Sequence, residues 1–197
     1  MAVLSTPANT PIDVSSRALI LIGAEPITSF EDGTSEALIA ANMYEDIARS
    51  SLVNSRWRFA TNQAVLNRLS EAPTGRYDAA YQVPSDSLML HAVTVAGLNI
   101  DYQTYGNKIF CDTSSTSEVV LDYTFRASEQ DWPSYFVLAV KFELAAIFAS
   151  SLAQDASLAQ LMGQQAQISM MKARTLDSQQ QTTRKLNTSR FIAERRS

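Results

Sequence analysis

Residues 131–155 read DWPSYFVLAVKFELAAIFASSLAQD, and how this stretch is covered decides the fold. Tyr135, Phe136, Leu138, Val140 and Phe142 open it; Leu144, Ile147, Phe148 and Leu152 continue it, with Ala139 and Ala145 between. A helix that is apolar nearly all round is buried on several sides. Pro133 suits the first turn, where its missing N–H costs nothing. Asp131 favours the positive end of the helix dipole. A membrane span needs about 20 mainly apolar residues. Lys141 and Glu143 sit in the middle of this stretch, and a charge at a bilayer centre costs roughly 2.5–3.5 kcal/mol. The expectation is a buried core helix with other elements on its flanks.

Upstream of it, from Phe59 to Arg126, the apolar period is 2 rather than 3.6. Tyr77, Ala79, Tyr81 and Val83 alternate until Pro84 stops the strand. Leu88–Val95 reads as a second strand, and Phe59–Leu69 leans the same way. Ile100–Thr104 and Lys108–Cys111 flank Gly106-Asn107, a hairpin signal. Ser114–Ser117 is a polar loop, and Val119, Leu121, Tyr123 and Phe125 share a face of a last strand. Such a segment is an antiparallel β subdomain with one face covered.

Two helices precede it. The first begins near Asp13, a good N-cap, and ends at Gly23 before Pro26. Residues 1–12 read as a flexible arm. Ile27–Gly33 is a loop with Phe30 packed beneath it. The second helix spans about Thr34 to Arg58, with Glu36 in its first turn. Its stripe is Ala37, Ala41, Tyr44, Ile47, Ala48 and Leu52, small enough to pack closely on the core helix. Arg56-Trp57-Arg58-Phe59 alternates cations with aromatics. Two arginines are too few to track phosphates, so the expectation is a core Trp57 with its arginines in solvent.

After the core helix, Asp155 caps a final helix from about Ala156. Leu158, Leu161, Met162, Ala166, Ser169, Ala173 and Leu176 form a thin stripe among many glutamines. So polar a helix is expected to fray beyond Leu176 or to lie against a partner.

The whole organisation is therefore α+β. Residues 13–58 and 131–183 form an antiparallel bundle of about four helices, 59–126 the inserted β subdomain, and 184–197 an extended basic tail. From Lys172 onward there are seven basic and two acidic residues, net +5; the remainder is net −9, within a chain of 197 residues at −4. An acidic body with a basic end suggests a separate task for the end.

Catalytic and cofactor signatures are missing. There is no Walker A loop, G-x-G-x-x-G or G-x-S-x-G. Zinc needs clustered His or Cys, and the chain has one of each, His91 and Cys111. Both read as structural, and Glu45-Asp46 point in different directions on a helix. No catalytic, cofactor or metal residues are expected, and no enzyme. The first residues lack the basic and apolar regions of a Sec-type signal, so synthesis and assembly in the cytoplasm are expected.

Several stretches carry a resemblance through their order and spacing. Leu21-Ile22-Gly23-Ala24-Glu25-Pro26-Ile27 ends the first helix, and Ala40-Ala41-Asn42 leads to Trp57-Arg58-Phe59-Ala60. Tyr81-Gln82-Val83-Pro84-Ser85-Asp86-Ser87-Leu88, the Gly106 hairpin and Tyr123 follow. Trp132-Pro133-Ser134-Tyr135-Phe136 then enters an Ala-rich helix. From about Val14 to Arg174 the chain resembles the tail tubular protein A family, the head-to-tail adaptors of short-tailed bacteriophages. Ser87 stands where many relatives would carry a cysteine. The resemblance implies a helical bundle with a small β domain, a structural virion protein at the head–tail junction, and a ring of twelve copies. Portal protein would lie above the ring and tail nozzle protein below, with genomic DNA leaving through the lumen without specific binding and no membrane involved. An acidic body suits such a conduit, because each phosphate contact adds salt-sensitive affinity. The expected portal-docking residues are Arg184, Lys185, Arg190, Phe191, Ile192, Arg195 and Arg196. Two other readings are a completion connector of a longer-tailed phage and a nucleic-acid-binding protein using the basic tail.

Overall fold

A computed structural model describes residues 8–70, 73, 75 and 77–180. Among these, the helices are α1 (Pro11–Leu21), α2 (Ser35–Val53), α3 (Ser134–Ser151) and α4 (Ala156–Gln179). The strands are β1 (Thr61–Val65), β2 (Ala79–Gln82), β3 (Ser87–Val95), β4 (Leu98–Asn99), β5 (Gln103–Tyr105), β6 (Lys108–Cys111) and β7 (Val119–Phe125). The class is α+β, as the change of period implies.

The core helix is α3, and α1, α2 and α4 all pack on it. Its length and mean hydropathy of 1.4 are those of a membrane-crossing helix. Here Phe136, Val140, Leu144 and Phe148 are fully buried, and neighbouring helices supply the cover. Pro133 is the N-cap of α3 rather than a first-turn residue, because a short 3-10 turn, Glu129–Asp131, precedes it. Rings gather at this entry: Phe136 lies 5.1 Å from Trp57, 4.9 Å from Phe59 and 4.9 Å from Trp132.

α1 starts earlier than the sequence suggests. Thr10, not Asp13, is the N-cap, and Pro11 takes the first helical position that its fixed φ suits. The Asp13 N–H donates to Thr10 Oγ1 (3.1 Å), and Thr10 Oγ1 donates to Asp13 Oδ2 (2.7 Å). Pro11 and Ile12 thus belong to the helix, and Ala8 is buried against it; they are not an arm. Gly23, at φ +77°, closes α1. The Ala24 N–H reaches back to Leu19 O and the Gly23 N–H to Ile20 O, both at 3.1 Å, the pairing of a Schellman end.

α2 begins near the expected start, with Thr34 rather than Ser35 as its cap, but stops at Val53, five residues short of Arg58. The Trp57 indole then donates to Ser51 O at 2.9 Å, which needs the chain to turn back. Ala40 is buried where Ala41 was expected, and Ala41 is exposed.

The strands form two antiparallel sheets, β1-β7-β3-β4 and β2-β6-β5. Both contribute to one core that includes Tyr81, Val93, Ile109, Cys111 and Leu121. The entry strand β1 pairs directly with the exit strand β7, Thr61 opposite Thr124, so the insertion closes on itself. Gly106-Asn107 makes the expected turn, with Tyr105 opposite Lys108. A second hairpin went unread: Ala96-Gly97 joins β3 to β4, with Ala96 at φ +50°. Alanine there bears backbone strain that Asn or Gly would relieve.

α4 lies along α3, which covers one face of it, while more than half of its residues stay exposed. The covering face matches the expected stripe in part, at Ala166, Ser169 and Ala173. Ala166, Ser169, Met170 and Ala173 are buried, as is Asp177, whereas Leu161 and Leu176 are exposed.

Candidate functional site

The most concentrated charge chemistry lies where β7 returns to the helices. Arg126 donates to Glu45 of α2 through Nε (3.1 Å) and Nη2 (2.9 Å), and to Glu129 through Nη2 (2.6 Å). Its guanidinium also lies 5.4 Å from the centre of the Trp132 ring. Tyr44 donates to Glu129 at 2.9 Å, and Arg49 completes the set on Glu45 at 2.6 Å. Burial alone would raise the Glu45 carboxyl, but Arg126 and Arg49 outweigh it and hold the group below its ordinary value. Burial, then the Glu129 charge, pushes the Tyr44 phenol well up. Every member faces another protein group, so the cluster ties the end of β7 to α2. Asp46, next to Glu45, points elsewhere and is exposed, as helical geometry requires.

The Arg56-Trp57-Arg58 stretch behaves as expected from the sequence. Trp57 is fully buried, Arg56 reaches Asp122 at 3.3 Å, and Arg58 is exposed. The two arginines line an open depression of about 650 Å³ with Asn62, Gln63 and Asp122. The indole is out of reach for base stacking, and the Asp122 carboxylate opposes a phosphate there.

His91 occupies a β-bulge between Leu90 and Ala92, with Nε2 2.7 Å from Thr124 Oγ1. Burial, then the nearby Arg56 charge, lowers its pKa. Burial raises the Cys111 thiol, as expected for a small core side chain. Among the described residues no group of three or more His, Cys, Asp or Glu is placed to hold a metal.

Among the described residues, two apolar surfaces on the helices bear on function. The first is the outer face of α4. Leu161, Ile168 and Leu176 are spaced by seven and eight residues, which keeps them on one face. They are 48%, 39% and 46% exposed, and Met171 beside them is 58% exposed. α4 therefore exposes four large apolar side chains on its outward side, interspersed with polar ones such as Gln164, Lys172 and Thr175. The second surface is a groove of about 610 Å³ between α2 and α3, lined by Leu38, Ile39, Asn42, Met43, Ala146 and Ile147. The sequence reading missed this groove, because its two walls lie about a hundred residues apart in the chain.

In comparisons with known proteins, no family model and no curated protein matches this chain. Arg184, Lys185, Arg190, Phe191, Ile192, Arg195 and Arg196 lie outside the described residues, as does any continuation of α4 towards Asn187.

Proposed function

We propose that this chain is a structural subunit rather than an enzyme: a head-to-tail adaptor that assembles as a ring between a phage portal and its tail nozzle, with DNA passing through. The observation that carries the reading is the row of exposed apolar side chains on the outward side of α4. Isolated surface leucines are ordinary, but Leu161, Ile168 and Leu176 exposed in line along a 24-residue helix suit burial by another subunit. The order of motifs from Leu21 to Phe136 supports the particular family, and the net −9 of the body suits a lumen that does not hold phosphate. The virion, at the head–tail junction, is the proposed location.

The test is a mass measurement in solution, alone and mixed with portal protein, followed by electron microscopy of the mixture. A ring of about twelve copies on the portal is the expected result. A chain that stays monomeric and ignores portal would defeat the proposal. A rival reading rests on the basic end, net +5 from Lys172 onward. If it bound nucleic acid, duplex DNA would be retained at near-physiological salt; the adaptor reading expects weak binding that salt abolishes.

A further inference from the structure

Both apolar surfaces belong to the same chain, and they carry charges of opposite sign, Lys172 within the α4 face and Asp46 beside the groove. On α4, Lys172 follows Ile168 by four residues on the outward face, and it makes no ion pair among the described residues. On α2, Asp46 follows Met43 by three residues on the groove-lining face, and it too makes no ion pair among them. At 1.5 Å per residue the step from apolar residue to charge is about 6 Å on one helix and about 4.5 Å on the other. The outward face of α4 carries no exposed carboxylate, since Asp155 caps the helix and Asp177 is buried.

Helix direction fits the same pairing. α2 runs against α3: Leu38 and Met43 face Ala146 and Ile147, and Ser51 donates to Glu143. α4 also runs against α3, with Asp177 beside Tyr135. α2 and α4 are therefore parallel. Neighbours in a twelvefold ring differ by a rotation of only about 30°, which keeps α4 of one copy close to parallel with α2 of the next. Within each chain the ridge and the groove are formed by different helices, as a head-to-tail contact requires.

We propose that the outward face of α4 seats in the α2–α3 groove of a second copy, with Ile168 between Met43 and Ile147 and Lys172 on Asp46. This deepens the ring reading and rests on it. The partner copy completes a groove that one chain leaves open.

The full chain is examined by mass photometry and sedimentation, with circular dichroism melts confirming that each variant folds. Ile168→Asp blocks the ridge and Leu38→Asp the groove. Both positions are exposed, so each variant should melt like the wild type yet need at least about tenfold more protein to assemble, the loss expected at the centre of an interface. Mixed in equal amounts, the two variants should form pairs, because one intact ridge then meets one intact groove. Lys172→Glu should weaken assembly, and adding Asp46→Lys in the same chain should restore it. Full-size rings from both blocked variants would overturn the interface while leaving the ring reading intact. Cross-linking of Ile168→Cys to itself would point to α4 pairing with α4 and also overturn the interface. Assembly that survives Leu38→Asp but not removal of residues 184–197 would assign the contact to the basic end instead. A wild-type chain that is monomeric throughout, with and without portal, would reject ring and interface together.

Discussion

Arg126 shows how one side chain can fix the relation between two parts of a chain. It is 19% exposed and faces Glu129, which is 9% exposed. Removing it by Arg126→Ala leaves a buried carboxylate unpaired, which costs about 3–5 kcal/mol. Urea unfolding should show that loss, and Arg126→Lys should not restore it, since an ammonium cannot make the same fork. A loss below about 1 kcal/mol would mean that water satisfies Glu129 instead. Glu143 makes the opposite kind of prediction. Burial raises its carboxyl despite the Ser51 hydrogen bond and the Arg174 charge. An acid raised in the fold contributes its full stability below its unfolded pKa, about 4.3, and loses it as pH rises through the folded value. Glu143→Gln should therefore stabilise the protein at pH 8 and have little effect at pH 4, read as the shift in urea midpoint. Glu45 has the reverse sign, its contribution present above the unfolded pKa and lost on acidification.

At the scale of elements, α4 is the informative case. Its polar composition suggests a helix that frays after Leu176, yet the structure keeps it regular to Gln179. The fastening is Asp177. It accepts the Tyr135 hydroxyl at 2.9 Å and the Arg58 N–H at 3.2 Å, from two segments distant in sequence. Burial, then Asp177 itself, pushes the Tyr135 phenol up to about 12. A carboxylate in the last turn opposes the helix dipole, so these bonds must outweigh that term. Asp177→Ala leaves the Arg58 N–H without its acceptor and should cost about 1–3 kcal/mol. Hydrogen exchange should quicken in the last two turns of α4 and stay unchanged in α3. Equal quickening in both would show that the two helices open as one unit.

For the whole molecule, the division of charge is the feature that reaches beyond the fold. Residues 184–197 carry five cations and one carboxylate beside Phe191-Ile192, suited to many weak contacts repeated around a ring. Deleting them should abolish retention on immobilised portal while leaving the melting temperature unchanged. Undiminished retention would remove this segment as the dock. Among the described residues, α1, α2 and α4 all pack on α3.

The α+β class, the identity of α3, the Gly23 and Thr34 boundaries, the Gly106 hairpin and the buried Trp57 were all legible in the sequence. Each rests on local chemistry: apolar period, φ preference, capping oxygen or side-chain size. The Ala96 turn was not legible, because alanine gives no turn signal. The groove between α2 and α3 and the Arg126 and Asp177 clusters were decided by tertiary structure alone. Their partners lie tens of residues apart, and local preference does not say which distant groups will meet. α4 carries both cases: Ala166, Ser169 and Ala173 of its sequence stripe are buried, but the position of α3 decided that Met170 is buried with them and that Leu161 and Leu176 stay exposed.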